Sequence, residues 1–341
     1  MKTVYSKKHT LRNSITELSG GELVRPFECP ERIEYILAEI SKRKLGPIIE
    51  PINQNLEIIY KVHDKKYVKF LESAWNEWTK EGFKGEAIPS VWPSRSMNSQ
   101  IIPNNIEGKL GYYCLANETS ISKGTIEAAY ESVNVALTAA NILEKDKSIF
   151  ALCRPPGHHA SKDQYGGYCF FNNIAIAAEK LLEKGADKIL ILDIDFHHGN
   201  GTQKIFYDRS DVFFISLHGD PIEAFPHFLG YADENGIGAG AGYNLNYPMP
   251  PNTSYIEWKT SLDKAINKVK SYNPDALLIS LGVDTFENDP ISFFKLKSDD
   301  YFDVGRKIAT LNLPTLFVME GGYAINEIGI NTVNILEGFE E

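Results

Sequence analysis

The sequence has no apolar run approaching the roughly 18 residues needed to cross a bilayer, no internal repeat and no low-complexity linker. The opening stretch MKTVYSKKHTLRNS carries lysines with no apolar segment behind them, so a secretory signal is not expected. Cysteine is scarce: Cys29, Cys114, Cys153 and Cys169, with no CxxC pair. That excludes a disulfide framework and a thiolate zinc site, and leaves reduced thiols in a cytoplasmic protein as the expectation. Positive charge is in deficit, 35 Lys and Arg against 45 Asp and Glu, for a formal net charge of -10. Such a balance argues against a nucleic-acid partner, while small cationic ligands are compatible with it.

What is present is an alternation. Near-continuous apolar runs of β type, SIFALC (148–153), KILILDI (188–194), DVFFISL (211–217), DALLISLG (275–282) and TLFVME (315–320), suit parallel strands covered on both faces. Helical patterns lie between them, at 172–185 and at 254–272, where Ile256, Leu262, Ile266 and Val269 suggest one apolar side. An early helix is marked by Pro30, with Ile33, Ile36, Leu37 and Ile40 on one face. The expected fold is therefore α/β, a single domain over 1–341 with a predominantly parallel multi-stranded sheet flanked by helices. The segment 78–120 breaks the order. It is rich in Gly, Pro, Asn and Ser with interspersed aromatics, and reads as a long loop insertion, a site wall or an oligomer contact.

The reactive residues fall at the ends of the strands. SIFALC leads to RPPGHHA, with His158 and His159. KILIL leads to DIDFHHGNG, with Asp193, Asp195, His197, His198 and Asn200. DVFFI leads to SLHGD, DALLIS to LGVDTF with Asp284, and TLFV to MEGGY with Glu320 and Tyr323. In an open parallel sheet, ligands bind at the carboxyl ends of the strands, so one site is expected. Asp193, Asp195 and His197 stand at i, i+2 and i+4, on one side of an extended segment. With Asp284 they make a donor set for a divalent metal, zinc before magnesium because histidine is present. For any single aspartate, a cap or a turn is the simpler role. The tandem histidines suit proton transfer near neutral pH, and Tyr323 offers a phenolic donor for an oxyanion.

These motifs, CRPPGHHA, GGYCFFNN, ILDIDFHHGNGTQ, SLHGDP, SLGVDTF and MEGGY, together resemble the zinc-dependent deacetylases of the arginase–deacetylase fold, which include the histone deacetylases. HTLRNSITELSGGEL, IEGKLGYYC, GDPIEAFPHFLGYADE and DTFENDPISFFKL look like the bacterial acetylpolyamine amidohydrolase subgroup, and the likeness runs along essentially the whole chain. The resemblance implies zinc on Asp195, His197 and Asp284, with Asp193 behind His158. It implies His159 as general base, His158 as its electrostatic or acid partner, and Asn200 behind His159, where some histone deacetylases have an aspartate. Tyr168, Gly167 and Phe225 would line the channel, and Glu107 and Glu118 would stand near its entrance. K+ or Na+ would be held by Asp193, Asp195, His197, Ser216 and Leu217, and a second ion by Phe206, Arg209, Val212 and Tyr243. In that subgroup the 78–120 loop builds a homodimer that narrows the tunnel.

The expected activity is removal of acetyl groups from small cationic acetylated amines, polyamines first. Acetyl-lysine peptides or other acylated amines are the alternative substrates. An arginase-like two-metal ureohydrolase would leave the tandem histidines unexplained. A catalytically dead binding protein is not favoured, because every expected catalytic position is filled.

Overall fold

The alternation seen in the sequence is realised as a sheet sandwiched between two layers of helices. The computed structural model describes all 341 residues. The strands are β1 (Lys2–Val4), β2 (Glu17–Ser19), β3 (Glu22–Val24), β4 (Ile48–Ile49), β5 (Ser148–Ala151), β6 (Ile189–Asp193), β7 (Val212–Gly219), β8 (Asn244–Met249), β9 (Ala276–Leu281) and β10 (Thr315–Met319). The helices are α1 (Glu31–Arg43), α2 (Ile59–Val62), α3 (Lys65–Lys80), α4 (Ile106–Tyr113), α5 (Thr125–Asp146), α6 (Asn173–Glu183), α7 (Asn200–Phe206), α8 (Tyr255–Tyr272), α9 (Asp300–Ala309) and α10 (Ile325–Glu340). β2 and β3 pair as a small antiparallel hairpin. The other eight strands form one sheet in the order β4-β1-β5-β10-β9-β6-β7-β8. Every pairing in it is parallel, so all the carboxyl ends emerge along a single edge.

Successive strand residues point to opposite faces, which is why the apolar runs are continuous. Ile149, Ile191, Leu278 and Val318 pack against α3, α5 and α6 on one side. Phe150, Leu192, Ile279 and Phe317 pack against α1, α8, α9 and α10 on the other. The five expected strands are all present, trimmed or extended by a residue or two. Five strands were not anticipated: the two of the β2–β3 hairpin and three of the sheet. β1 and β4 are too short to show alternation, and β8 reads NLNYPM, with an edge position that tolerates Pro248.

Two expectations need correction. In α8, Leu262, Ile266 and Val269 are buried but Ile256 is 78% exposed. Lying six residues before Leu262, it is turned about 120° off the apolar face, and Trp258 fills that face instead. The segment 78–120 is not structureless. It contains the end of α3 and all of α4, Ala87 and Ile121 exchange backbone hydrogen bonds at 2.9 Å, and Trp92 Nε1 donates to the Cys114 carbonyl at 3.0 Å. Its helix was hidden because Gly108 and Gly111 interrupt the period of IEGKLGYY.

Candidate active site

β5, β10, β9 and β6 are neighbours in the centre of the sheet, so their carboxyl ends supply one pocket floor. β6 stops at Asp193, and the chain then turns through Ile194–Gly199 before α7. The alternation expected for Asp193, Asp195 and His197 therefore does not continue past the strand, and the three do not share a side. Asp193 faces His158, its Oδ2 3.0 Å from the ring Nδ1, while its Oδ1 accepts from the Asp195 backbone N–H at 3.1 Å. Asp195 and His197 point instead toward Asp284, which the end of β9 delivers.

Asp195, His197 and Asp284 are buried, and each offers one ligand atom within 4.8 Å of the others. Their remaining atoms are held by backbone. Asp195 Oδ1 accepts from His197 N at 2.8 Å, Asp195 Oδ2 from Gly321 N at 2.8 Å, and Asp284 Oδ1 from Phe196 N at 2.8 Å. Burial disfavours charge on His197, but its hydrogen bonds and Coulombic attraction to Asp195 and Asp284 outweigh it and push the ring up to about 10. Burial also lifts Asp284 above the usual carboxylate range, whereas the His158 and His197 charges hold Asp195 below it. Two buried carboxylates thus demand more positive charge than one imidazolium gives, and a divalent cation meets that demand. Two carboxylates and an imidazole with room for further ligands fit zinc. The space is kept open by glycine: a Cβ on Gly321 would overlap the Asp284 carboxylate and come within 2.6 Å of Asp195 Oδ2.

The tandem histidines sit on a turn clamped by Glu320. Its Oε2 accepts from Gly157 N at 2.7 Å and His158 N at 3.1 Å. The two rings lie 4.0 Å apart. Burial acts against charge on His158, yet Asp193 and Asp195 push it up to about 10. Burial drives His159 the other way, well below its ordinary value, with the charges of His158 and His197 adding to the fall. Asn200 Oδ1 lies 2.6 Å from His159 Nδ1, and Asn200 Nδ2 donates back to the His159 carbonyl at 3.3 Å. That pairing assigns the proton of the neutral ring to Nδ1 and leaves the Nε2 lone pair free.

Tyr323 completes the floor. Its ring is 5.6 Å from Tyr168 and lies under the Arg32 guanidinium at 4.9 Å. Arg32 also donates to the carbonyls of Gly322 at 2.7 Å and Glu320 at 2.5 Å. Above the floor is a cavity of about 240 Å³, lined by His159, Tyr168, Phe225, Phe293 and Tyr323 among others, with Glu118 and Glu223 contributing carboxylates. Gly167 belongs to the wall, and a Cβ there would strike the His159 ring. Glu118 is in the lining, but its Oε1 is engaged by Gly167 N at 2.6 Å and by Thr119 Oγ1 at 2.8 Å. Glu107 lies on the exposed side of α4, outside this lining.

The residues expected around monovalent ions fall beside and behind the pocket. Ser216 and Leu217 lie on β7, and the Ser216 hydroxyl meets His218 Nδ1 at 2.7 Å. Phe206 ends α7, Val212 opens β7, and Tyr243 gives its carbonyl to Phe214 N at 3.0 Å. The Arg209 side chain is paired with Asp211 at 2.7 Å and with Glu179. Six residues of the site and its surroundings carry no local signal in the sequence: Ile291, Phe293 and Glu223 in the lining, Arg32 on Tyr323, Glu17 on the Tyr168 hydroxyl and Asp289 on the Tyr323 amide. Arg32 sits in the first turn of an ordinary-looking helix and Glu17 in a short hairpin. Only long-range folding brings them here.

Comparison with known proteins agrees with this geometry. Residues 26–338 match the histone deacetylase domain. The chain is 55% identical over 339 residues to an acetylpolyamine amidohydrolase of Mycoplana ramosa, covering 99% of each sequence. It is 50% identical over 341 residues to acetylpolyamine amidohydrolase 2 of Pseudomonas aeruginosa, covering 100% of this chain and 99% of the relative. A crystal structure of an acetylpolyamine aminohydrolase from Burkholderia pseudomallei superposes with a TM-score of 0.94 at 36% identity, over 99% of this chain and 98% of that one.

Proposed function

The chain belongs to the histone deacetylase family, and we propose that within it this protein is a zinc-dependent amidohydrolase that removes acetyl groups from acetylated polyamines. The observation that carries the reading is the meeting of Asp195, His197 and Asp284 with a neutral His159 at the floor of a largely aromatic pocket. Bound by Asp195, His197 and Asp284, a zinc ion supplies Lewis acidity to an acetamide carbonyl and acidity to a water. His159 takes the proton of the attacking water at Nε2, since Asn200 holds its Nδ1 proton. Tyr323 donates its phenolic hydrogen to the oxyanion that forms. His158, kept protonated by Asp193, stabilises that charge and supplies the departing amine with a proton through the histidine pair. Collapse then yields acetate and the free amine.

Shape supports slim substrates. Tyr168 and Phe225 face the acyl-bearing aliphatic chain, and the unpaired Glu223 joins Glu118 where a cationic tail would emerge. The reading also includes K+ or Na+ held by Asp193, Asp195, His197, Ser216 and Leu217, and a second ion at Phe206, Arg209, Val212 and Tyr243. It includes a homodimer through 78–120, supported by the exposure of Val91, Met97 and Ile101 in that segment, and Glu107 would act only at such a contact. The acidic charge and the four free cysteines suit a cytoplasmic enzyme without nucleic-acid or membrane partners. No helix is long and apolar enough to cross a membrane.

The test is turnover of N-acetylputrescine, N-acetylspermidine and an acetyl-lysine peptide, with and without a zinc chelator. Rapid, chelator-sensitive cleavage of the acetylpolyamines is expected. Activity that survives complete metal removal would sink the mechanism. A strong preference for the peptide would sink the substrate and leave the chemistry standing.

A further inference from the structure

The turn that carries Tyr323 begins with two glycines, and Gly322 has a φ of +128°, so its own chain does little to aim the phenol. Three side chains from elsewhere hold it. Arg32 takes the carbonyls of Glu320 and Gly322, and Asp195 takes the N–H of Gly321. The N–H of Tyr323 itself goes to Asp289, whose Oδ2 accepts it at 2.7 Å and the N–H of Ala324 at 3.3 Å. The other oxygen of the same carboxylate, Oδ1, accepts from Ile291 N at 3.1 Å, and Ile291 lines the substrate cavity.

Asp289 is 6% exposed, and burial together with the nearby Asp284 charge pushes its carboxyl up to about 7 against the backbone hydrogen bonds it accepts, a costly placement for a group used only to close a loop. Its compensation is local. α10 starts at Ile325, its N-cap Ala324 has no side-chain capping bond, and Asp289 sits where the helix N-terminus offers unpaired amides and a positive dipole end. One carboxylate thus ties three things together: the amide of the residue that caps α10, the backbone of the oxyanion donor and the wall of the cavity. An amide in its place would offer one accepting oxygen for three N–H groups.

We propose that Asp289 is a positioning residue for deacetylation, fixing the aim of the Tyr323 hydroxyl and linking it to the cavity wall at Ile291. The assignment rests on the deacetylase reading above, and a double-mutant cycle with amide exchange separates the two. Asp289→Asn is expected to lower kcat on N-acetylputrescine by about 10- to 100-fold, the scale of a small misplacement of a reacting group. In a Tyr323→Phe background the same change should cost less than about twofold, because the group being aimed is gone. Exchange at the amides of Tyr323 and Ala324 should quicken while the strand Ile189–Asp193 stays protected. Equal losses in both backgrounds, or unchanged exchange at 323 and 324, would overturn the proposal. If the unaltered enzyme fails to cleave any acetylated amine, the deacetylase reading falls and the exchange result alone decides the role of Asp289. Should Asp289→Asn lose protection throughout the molecule, Asp289→Glu, which keeps the carboxyl group, goes through the same cycle and is judged by the same outcomes.

Discussion

Asp193 and Asp195 are two positions apart, share one short strand exit and meet different partners: a histidine ring for the first, an imidazole and a second carboxylate for the last. At the scale of single residues, function here depends on which atom each carboxylate spends on backbone and which it leaves free. On the proposed mechanism, Tyr323 is the case where one atom carries the effect. Tyr323→Phe should reduce kcat by about 10²- to 10³-fold with little change in KM, as loss of one oxyanion donor does, which steady-state kinetics on N-acetylputrescine will show. Glu17 is a residue whose charge state follows pH. Burial raises it to about 7 despite hydrogen bonds from the Tyr168 hydroxyl and the Phe27 N–H. The folded protein then holds that proton more tightly than the unfolded chain, so stability falls as pH rises from 4.5 to about 7 and is level beyond. Glu17→Gln should flatten that part of a Tm-against-pH curve. A slope equal to that of the unaltered protein across the window would contradict the assignment.

At the scale of elements, parallel pairing did most of the work, since it brought the ends of β5, β10, β9 and β6 together. The strands were legible because burial on both faces leaves an apolar run. Glycine-rich exits were legible as turns, but their purpose was not. Gly321 and Gly282 keep methyl-sized volumes clear beside Asp195, and Gly321 also beside Asp284. Gly321→Ala should therefore lower zinc affinity by about tenfold or more, the scale seen when support around metal ligands is disturbed. Metal content after dialysis against a graded chelator measures it, and retention equal to that of the unaltered protein would contradict it. α4 and Ile256 mark the limits of reading periodicity: a short helix with two glycines shows no period, and one misplaced isoleucine imitates a face.

At the scale of the molecule, the 78–120 segment stands between the sheet and whatever it meets outside. It is pinned at Ala87, Trp92 and Cys114, yet it leaves Val91 at 49%, Met97 at 55% and Ile101 at 62% exposure. Exposed apolar side chains grouped on one segment favour association. The expected outcome is a dimer by light scattering that becomes a monomer when residues 83–112 are shortened. A monomer before shortening would refute the contact.

The sequence by itself determined the α/β class, the five central strands and the identity of nearly every side chain on the site floor, because burial patterns and metal-binding chemistry are written locally. It also placed Glu320 at the site without giving its task. Tertiary structure decided the rest. It separated Asp193 from Asp195 where β6 ends, put Arg32 on Tyr323 and Asp289 under its amide, and spent half of Glu118 on a turn. Those outcomes depend on contacts between residues as many as 291 positions apart, Tyr323 from Arg32 among them, and no local pattern records which distant backbone group a buried charge will find.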